Sequence, residues 1–348
     1  MAISITATDL LEARAMYQSG EFNRPKLSES ETGALSEGIH NAPFLLPGYN
    51  VGDIRHSSAQ VEKIPYYERL AAGAATTRGN SAIEDGTTAL ATVTKQGFRE
   101  EIKFSVLRSM NNDIPMAVHI ATMMEQKARN LRSRIDTAAV ASLLAARTQY
   151  AAPAQYVDPQ FAWDAVNFQH ELAIANQDDL FRHIEIMCNM NDMGSNYRML
   201  SNPYVKNALN YINNQGGGNS TNLAYSTAGN NNVAYTKGIA NAAGEKHVSY
   251  VYREGAFGLT FWVNKLHAMG ANNGFQNWST MTDDKFGFPI ELYTEKSKED
   301  TSGAGVTGGE LDLTTSIVMY AETSFVAAPD PTGAAVGSDI FKVVQLTT

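Results

Sequence analysis

One long predicted helix constrains this chain more than any other feature. Residues 114–149 contain no Gly, and the only Pro, Pro115, stands in the first turn, where a missing N–H does no harm. Small or apolar residues recur there every three or four positions: Ile120, Met124, Ala128, Leu131, Ile135, Ala139 and Leu143. Such a helix commonly packs on a sheet or a bundle. Its length of about 50 Å also favours an elongated protein, and an elongated protein is typical of a subunit that builds a larger assembly.

Four cations flank or oppose this apolar stripe: Lys127, Arg129, Arg132 and Arg134. They exclude a membrane span, because no uninterrupted apolar run reaches the required length of about 18 residues. A surface facing a polyanion is one interpretation of these cations. A solvated helix flank, or ion pairs with acids of a neighbouring chain, is favoured over it.

The length, net charge and cysteine count of the chain limit the kinds of protein that it can be. A chain of 348 residues has room for two or three domains. Its net charge of −9 argues against a protein that grips nucleic acid through a strongly basic surface. Cys188 is the only cysteine, so no internal disulfide can form. The first residues lack the pattern of a secretory signal, and we expect synthesis in a reducing cytoplasm.

The first third of the chain is poor in apolar runs. We predict a short helix over 8–18, followed by a polar stretch over 21–50 that is either disordered or an arm laid on another surface. Alternation over 89–94 and 102–106 predicts two strands joined by a turn at Gly97. Such a hairpin is marginal alone. We therefore expect the apolar side chains of this third to be buried against neighbouring copies of the chain.

The middle of the chain mixes helix and strand signals. We predict an amphipathic helix over 160–176, an apolar strand within 181–193, and a helix that begins at Pro203 with Ser201 or Asn202 as its cap. Residues 215–232 have the composition of a flexible loop, which is a recognition loop or a plain surface excursion.

The C-terminal part is predicted to be rich in β-structure. Alternating apolar residues mark strands from residue 233 onward, and residues 296–310 have the composition of an exposed loop. Residues 311–348 predict two or three strands around the turn sequence DPTG.

No catalytic, cofactor or metal residues are predicted. Gly303, Gly305 and Gly308 have dinucleotide-loop spacing, but a strand pattern follows them where a helix is required. The histidines lack metal-site spacing, and Cys188 near His183 is interpreted as a buried small apolar residue. The acidic pairs 178–179 and 283–284 are interpreted as solvated turns or helix starts. We therefore expect a protein that is not an enzyme.

The order of arm, glycine-punctuated loop, long helix and mixed body resembles tailed-bacteriophage major capsid proteins of the Hong Kong 97 type. The stretches that carry the resemblance are 20–50, 51–98, 114–149 and 164–205, in which SNPYVKNAL is similar to a strand, Asn-Pro, helix passage common in these coats. The resemblance implies an α+β Hong Kong 97-type fold. It also implies an N-terminal arm (1–50), an extended loop with leading strands (51–112), a spine helix and peripheral domain (113–158), an axial domain (159–310) and returning peripheral strands (311–348).

The resemblance further implies a coat protein that self-assembles into an icosahedral shell around double-stranded phage DNA. Its partners would be other copies in pentamers and hexamers, with scaffolding, portal and cement proteins also expected, and without a membrane or sequence-specific DNA binding. The location would be the virion, after assembly in the host cytoplasm. The loop over 63–78 would contact an adjacent subunit, although nothing around Lys63 identifies a crosslinking partner.

Two alternatives stay open at this point. One is an encapsulin-like cellular compartment with the same fold and a protein cargo. The other is a hydrolase or carbohydrate-binding module whose loop over 213–232 lines a cleft, with the long helix packed inside a compact protomer.

Overall fold

A computed structural model gives the fold of the chain. It describes residues 7–19, 32–45, 51, 61–67, 88–105, 116–149, 157–173, 180–193, 197–215, 233–263, 276–300, 311–327 and 339–347. The helices are α1 (Ala7–Ser19), α2 (Gly33–Leu45), α3 (Met116–Ala146), α4 (Leu180–Met190) and α5 (Pro203–Gln215). The strands are β1 (Val61–Tyr67), β2 (Thr88–Ser105), β3 (Phe161–Asp164), β4 (Gln169–Leu172), β5 (Tyr197–Ser201), β6 (Val233–Tyr235), β7 (Glu245–Arg253), β8 (Phe257–Trp262), β9 (Gln276–Thr282), β10 (Pro289–Asp300), β11 (Leu311–Ala327) and β12 (Ile340–Leu346).

The predicted long helix is confirmed as α3, which has 31 residues and a length of about 46 Å. Every residue of the predicted apolar stripe, from Ile120 to Leu143, is fully buried in the larger hydrophobic core. The stripe packs because its three-to-four-residue spacing keeps all of these side chains on one face.

The first sheet has the order β1-β2-β11-β10-β9, and β8 also pairs with β11. All of its pairs are antiparallel. Ile102 of β2 and Ile317 of β11 are register partners and both are buried in the core that contains the α3 stripe. The sheet therefore covers one side of the long helix.

The second sheet has the order β3-β4-β12-β7-β5-β6. Its residues Val248, Tyr252 and Ile340 belong to the same core as α3. Val251 and Phe341, on the opposite face, pack with apolar residues of α4 and α5 in a second core. This sheet is thus a layer between the long helix and the two shorter helices.

Several sequence predictions are confirmed by these elements. Helix α1 matches the helix predicted over 8–18, and α5 begins at Pro203 as predicted. The backbone N–H of Val205 donates to Asn202 Oδ1 at 3.3 Å, so Asn202 is the cap of α5. The described strands from residue 233 onward are β6 to β12, as the alternation predicts. The turn sequence at 330–333 and residues 216–232 lie outside the described residues.

The predicted helix over 160–176 is wrong, since β3 and β4 form an antiparallel hairpin there. Phe161 and Leu172 are register partners on adjacent strands, and both are buried. Their spacing suits a helix equally well, but the Asp164 carboxylate accepts the N–H of Val166 and closes a turn between the strands. The predicted strand within 181–193 is also wrong, because α4 buries residues at helical spacing: Leu180, Ile184, Met187 and Cys188.

The N-terminal third differs from its prediction in two ways. Residues 33–45 of the predicted arm form helix α2, and apolar residues of α1 and α2 are buried within the same subunit: Leu10, Ala13, Tyr17, Ala34, Leu35 and Ala42. Gly97 lies inside the continuous strand β2 and does not form a turn. The partner of residues 88–94 is β1. Helices α1 and α2 therefore obtain burial from their own chain.

The predicted exposed loop over 296–310 is partly replaced by strand. β10 continues to Asp300, whose register partner is Leu311 of β11. Residues 301–310 lie outside the described part of the chain.

Candidate assembly site: the ribbon and its attachment

Strand β2 belongs to two different pairings along its length. Its residues 88–94 pair with β1, and its residues 95–105 pair with β11. We call the β1 strand and residues 88–94 the ribbon. A two-stranded ribbon is marginally stable in isolation, so its direction depends on how β2 is held where it leaves β11.

Lys95 marks the point where β2 leaves β11. Its side chain is buried, and its Nζ lies 4.5 Å from the centroid of the Trp262 ring. Trp262 Nε1 in turn donates to Ser324 Oγ at 2.9 Å, and Ser324 is the register partner of Lys95. A desolvated cation on an indole face contributes about 2 kcal/mol. These contacts fix three strands, β2, β8 and β11, at the base of the ribbon.

Gly97 is held under the ring of Tyr320. A Cβ atom at Gly97 would lie 2.1 Å from Tyr320 Oη, so any other residue would displace the ring. Covering a strand glycine with a cross-strand aromatic ring compensates for the missing side chain. Burial of this ring raises the pKa of Tyr320 to about 12. Gly97 thus allows a close cross-strand contact within an unbroken strand.

On the opposite face of β2, Glu100 joins the strand to the long helix. Its carboxylate accepts Lys127 Nζ at 3.2 Å and Arg134 Nη1 at 3.0 Å. Arg134 also donates to the carbonyl of Arg99 at 2.7 Å. These two cations of the helix flank therefore pair with an acid of their own chain. Because the Arg134 side chain is 51% exposed, its ion pair with Glu100 contributes little to the free energy of unfolding. The pair still restricts how β2 lies against α3.

A buried ion cluster joins α3 to the turn between β9 and β10. Arg132 Nη1 lies 2.9 Å from Asp283 Oδ1 and 2.7 Å from Asp284 Oδ1. The hydroxyl of Tyr17, on α1, donates to Asp284 at 3.1 Å. Burial raises the pKa of Asp283, and Arg132 opposes that rise. The prediction that 283–284 form a solvated turn is therefore wrong for Asp283, which is buried against α3.

Asp136 of α3 holds the N-terminus of α2. Its Oδ1 accepts the backbone N–H of Leu35 at 3.0 Å, and its other oxygen accepts the Thr236 hydroxyl. Burial raises the pKa of Asp136. Gly33 permits the close approach, because a Cβ there would lie 2.3 Å from the carbonyl oxygen of Tyr235.

Glu37 fixes α2 to the second sheet. Its carboxylate accepts Arg198 Nη2 at 2.6 Å and Arg198 Nε at 2.8 Å, which is a two-point pair. The Tyr252 hydroxyl also donates to Glu37 at 3.0 Å. Burial raises the pKa of Tyr252. Helix α2 is therefore bonded to both α3 and the second sheet.

Solved structures that are similar to this chain include phage proteins. A protein of Mycobacterium phage Adephagia is 11% identical, with a TM-score of 0.50 over 96% of this chain and 98% of the other. The chain shares the fold of this phage protein. The capsid asymmetric unit of Cyanophage A-1(L) also matches, at 11% identity and a TM-score of 0.48 over 94% of this chain and 96% of that one. No protein-family model and no curated protein matches the sequence.

His183 and Cys188, which the sequence analysis considered together, both lie in helix α4. His183 Nδ1 lies 3.0 Å from Asp158 Oδ2, and Cys188 is buried in the second core, where burial raises the pKa of its thiol. In the described ranges, no three His, Cys, Asp or Glu residues are grouped as metal ligands. None of the described helices is long and apolar enough to cross a membrane. Residues 178–179 and the glycines at 303–308 lie outside the described ranges.

Sequence reasoning missed the contacts that hold the N-terminal helices. Glu37 and Arg198 are 161 positions apart, and Leu35 and Asp136 are 101 apart. Local periodicity contains no signal for such pairs. The one usable hint was that Glu37 is the only Lys, Arg, Asp or Glu residue in 33–45, so a charged partner for it has to come from elsewhere in the chain.

Proposed function

We propose that this chain is a major capsid protein, whose copies self-assemble into an icosahedral shell that encloses double-stranded phage DNA. The observation that carries the proposal is the fold likeness to a phage protein over nearly the whole of both chains. The role is structural, with no chemical reaction. The location is the virion, after assembly in the host cytoplasm.

The geometry of the chain supports this role. A two-stranded ribbon has almost no core of its own, and it gains stability when it lies on another protein surface. The capsid protein holds the base of its ribbon by Lys95, Gly97 and Glu100, so its direction is set before any contact with a neighbour. Presetting a binding segment lowers the entropy cost of each contact, and this matters in a shell of many copies.

The charge of the chain suits a container. A subunit with a net charge of −9 encloses DNA without holding it tightly, whereas a strongly basic lining would retain it. We propose that copies form pentamers and hexamers, and that scaffolding, portal and cement proteins are further partners.

We also propose the division of the chain into an arm (1–50), an extended loop (51–112), a spine and peripheral region (113–158), an axial region (159–310) and returning peripheral strands (311–348). The strand pairing adds one detail to this proposal. β12 joins the second sheet, and β9 and β10 join the first, so the two regions exchange strands across residue 310.

Assembly of the purified chain tests the proposal. We expect closed shells by negative-stain microscopy and a fast-sedimenting species, with or without a scaffolding partner. A chain that stays monomeric under all assembly conditions would contradict a coat protein. A terminase, portal or prohead protease gene beside this gene would support phage DNA as the cargo. Particles that enclose protein cargo, from a genome without those genes, would instead identify a cellular compartment.

A further inference from the structure

His170 is buried among aromatic rings in the middle of the β3–β4 hairpin. It is 2% exposed, and its Nδ1 has no hydrogen-bond partner among the described residues. Its ring centroid lies 4.9 Å from that of Trp163, 6.2 Å from that of Phe161 and 6.0 Å from that of Phe341. Burial lowers the pKa of His170 to about 4. The closed hairpin therefore accommodates the neutral imidazole and disfavours the protonated one.

A histidine–carboxylate pair lies on the same face of the sheet as His170. His183 of α4 stands against the other side of the Phe161 ring, with ring centroids 6.1 Å apart. Its Nδ1 lies 3.0 Å from Asp158 Oδ2, so this carboxylate is already engaged by the other histidine. The same core also contains the titratable groups of Cys188 and Tyr197. By strand alternation, the described titratable groups on the opposite face of the hairpin and β12 are Asp164, Glu171 and Lys342.

A short pairing attaches the hairpin to the rest of the second sheet. β3 lies at the end of the sheet order, and its partner is β4. β4 joins the sheet through a parallel pairing with residues 343–345 of β12. The antiparallel pairing of β12 with β7 covers residues 340–346 and does not involve the hairpin. Separation of the hairpin therefore leaves the other strands of the sheet paired, and such small units open locally.

The two ends of the hairpin are held differently. Arg147, directly after α3, donates to the carbonyls of Asn167 and Phe168 at 3.0 and 3.2 Å, which ties the turn to the end of α3. At the other end, Phe161 and Leu172 are register partners and are buried in the second core. Opening at that end removes both side chains from the core and exposes the His170 ring to water.

We propose that the β3–β4 hairpin is an acid-sensitive switch, in which a proton on His170 opens the hairpin away from the second core while the rest of the chain stays folded. The open hairpin favours the protonated imidazole because water then surrounds the ring. Each opening also uncovers the edge of β12, and a free strand edge is a template for pairing with another chain. The switch is a property of the subunit and does not depend on the proposed function.

The reactivity of Cys188 measures this opening. Cys188 is the only cysteine of the chain, it is fully buried, and it lies in the same core as Phe161 and Leu172. Dithiodipyridine labels thiols in acid as well as at neutral pH, and each labelling rate is divided by that of the urea-unfolded chain at the same pH. We expect this ratio to rise about 100-fold from pH 7 to pH 4, because the His170 proton is bound far more tightly in the open hairpin. Far-UV circular dichroism should stay unchanged.

Variants at the two histidines assign the response. His170→Phe keeps a ring in the site and cannot take up a proton, so the rise should be lost. His170→Leu removes the proton with a smaller side chain, and it should give the same result if the larger ring disturbs the packing. His183→Gln is the matched control, since it changes the other histidine against Phe161 and keeps a hydrogen-bonding group for Asp158. It should retain the rise.

Three results would each overturn the switch. A labelling ratio that changes less than about threefold between the two pH values would show that acid does not open the hairpin. A loss of circular dichroism in parallel with labelling would show that the whole chain unfolds. A rise that persists in both His170 variants, or that disappears in His183→Gln, would assign the response to another group. All of these measurements use unassembled subunits, so a failure to form shells contradicts the proposed function and leaves this test intact.

Discussion

Replacing Arg132 with Met should destabilise the subunit strongly. The guanidinium of Arg132 is the counter-ion of Asp283, at a distance of 2.9 Å. The Asp283 side chain is 0% exposed and that of Arg132 is 4% exposed. Met has a similar length and no charge, so the substitution removes the ion pair while it retains much of the packing.

The magnitude follows from the burial of the remaining carboxylate. Removing one partner of a buried ion pair costs about 3–5 kcal/mol, because the other charge is left without compensation. Asp283 keeps its hydrogen bonds from the backbone N–H groups of Lys285 and Phe286. Because these bonds stabilise the remaining carboxylate, we expect a loss of stability at the lower end of that range, about 3 kcal/mol. The pair with Asp284 adds little, since that carboxylate is 37% exposed.

The loss should depend on pH. Burial already raises the pKa of Asp283, and Arg132 opposes that rise. Without Arg132 the pKa rises further. An acid whose folded pKa lies above its unfolded pKa destabilises the fold when it is ionised, and this effect is relieved as pH falls through the folded pKa. The penalty of Arg132→Met should therefore be smaller at pH 5 than at pH 7.

Urea unfolding followed by far-UV circular dichroism at both pH values measures these effects. The double variant Arg132→Met with Asp283→Asn should recover most of the loss, because the buried charge is gone. Arg134→Met is the matched control on the same helix. Since Arg134 is 51% exposed, we expect a change below about 1 kcal/mol. A loss for Arg132→Met below about 1 kcal/mol, equal at both pH values, or unrelieved by Asp283→Asn would refute this reasoning.

Three further predictions concern His170 and two glycines. Burial lowers the pKa of His170 to about 4, so stability should fall by about 3 kcal/mol as pH drops from about 6.5 to 4, and His170→Phe should remove that slope in urea titrations. Gly33→Ala should cost about 1–3 kcal/mol in urea unfolding because its Cβ meets the Tyr235 carbonyl, and an unchanged midpoint would contradict the close approach. Gly97→Val should cost about 1–2 kcal/mol and be relieved by Tyr320→Ala, whereas additive losses would argue against the ring contact.

Some elements were predictable because their signals are local. The stripe from Ile120 to Leu143 repeats for more than six turns, which no strand pattern imitates. Asn202 before Pro203 is a two-residue helix start whose capping bond forms within the segment itself.

Short segments were ambiguous for a physical reason. Phe161 and Leu172 fit one face of a helix and also fit facing positions of a hairpin. The hairpin forms because β4 adds to β12, with His170 opposite Val343, and this pairing connects residues far apart in the chain. Tertiary pairing therefore overrode a local pattern that supported both structures.

The sequence by itself determined the long helix, the strand-rich C-terminal part and the absence of internal disulfides, since each follows from spacing or composition. Only the tertiary structure decided which charges meet. Arg132 and Asp283 are 151 positions apart and lie in contact because the turn between β9 and β10 folds back onto α3. A buried charge needs a partner in space, and nothing in the local sequence specifies where that partner comes from.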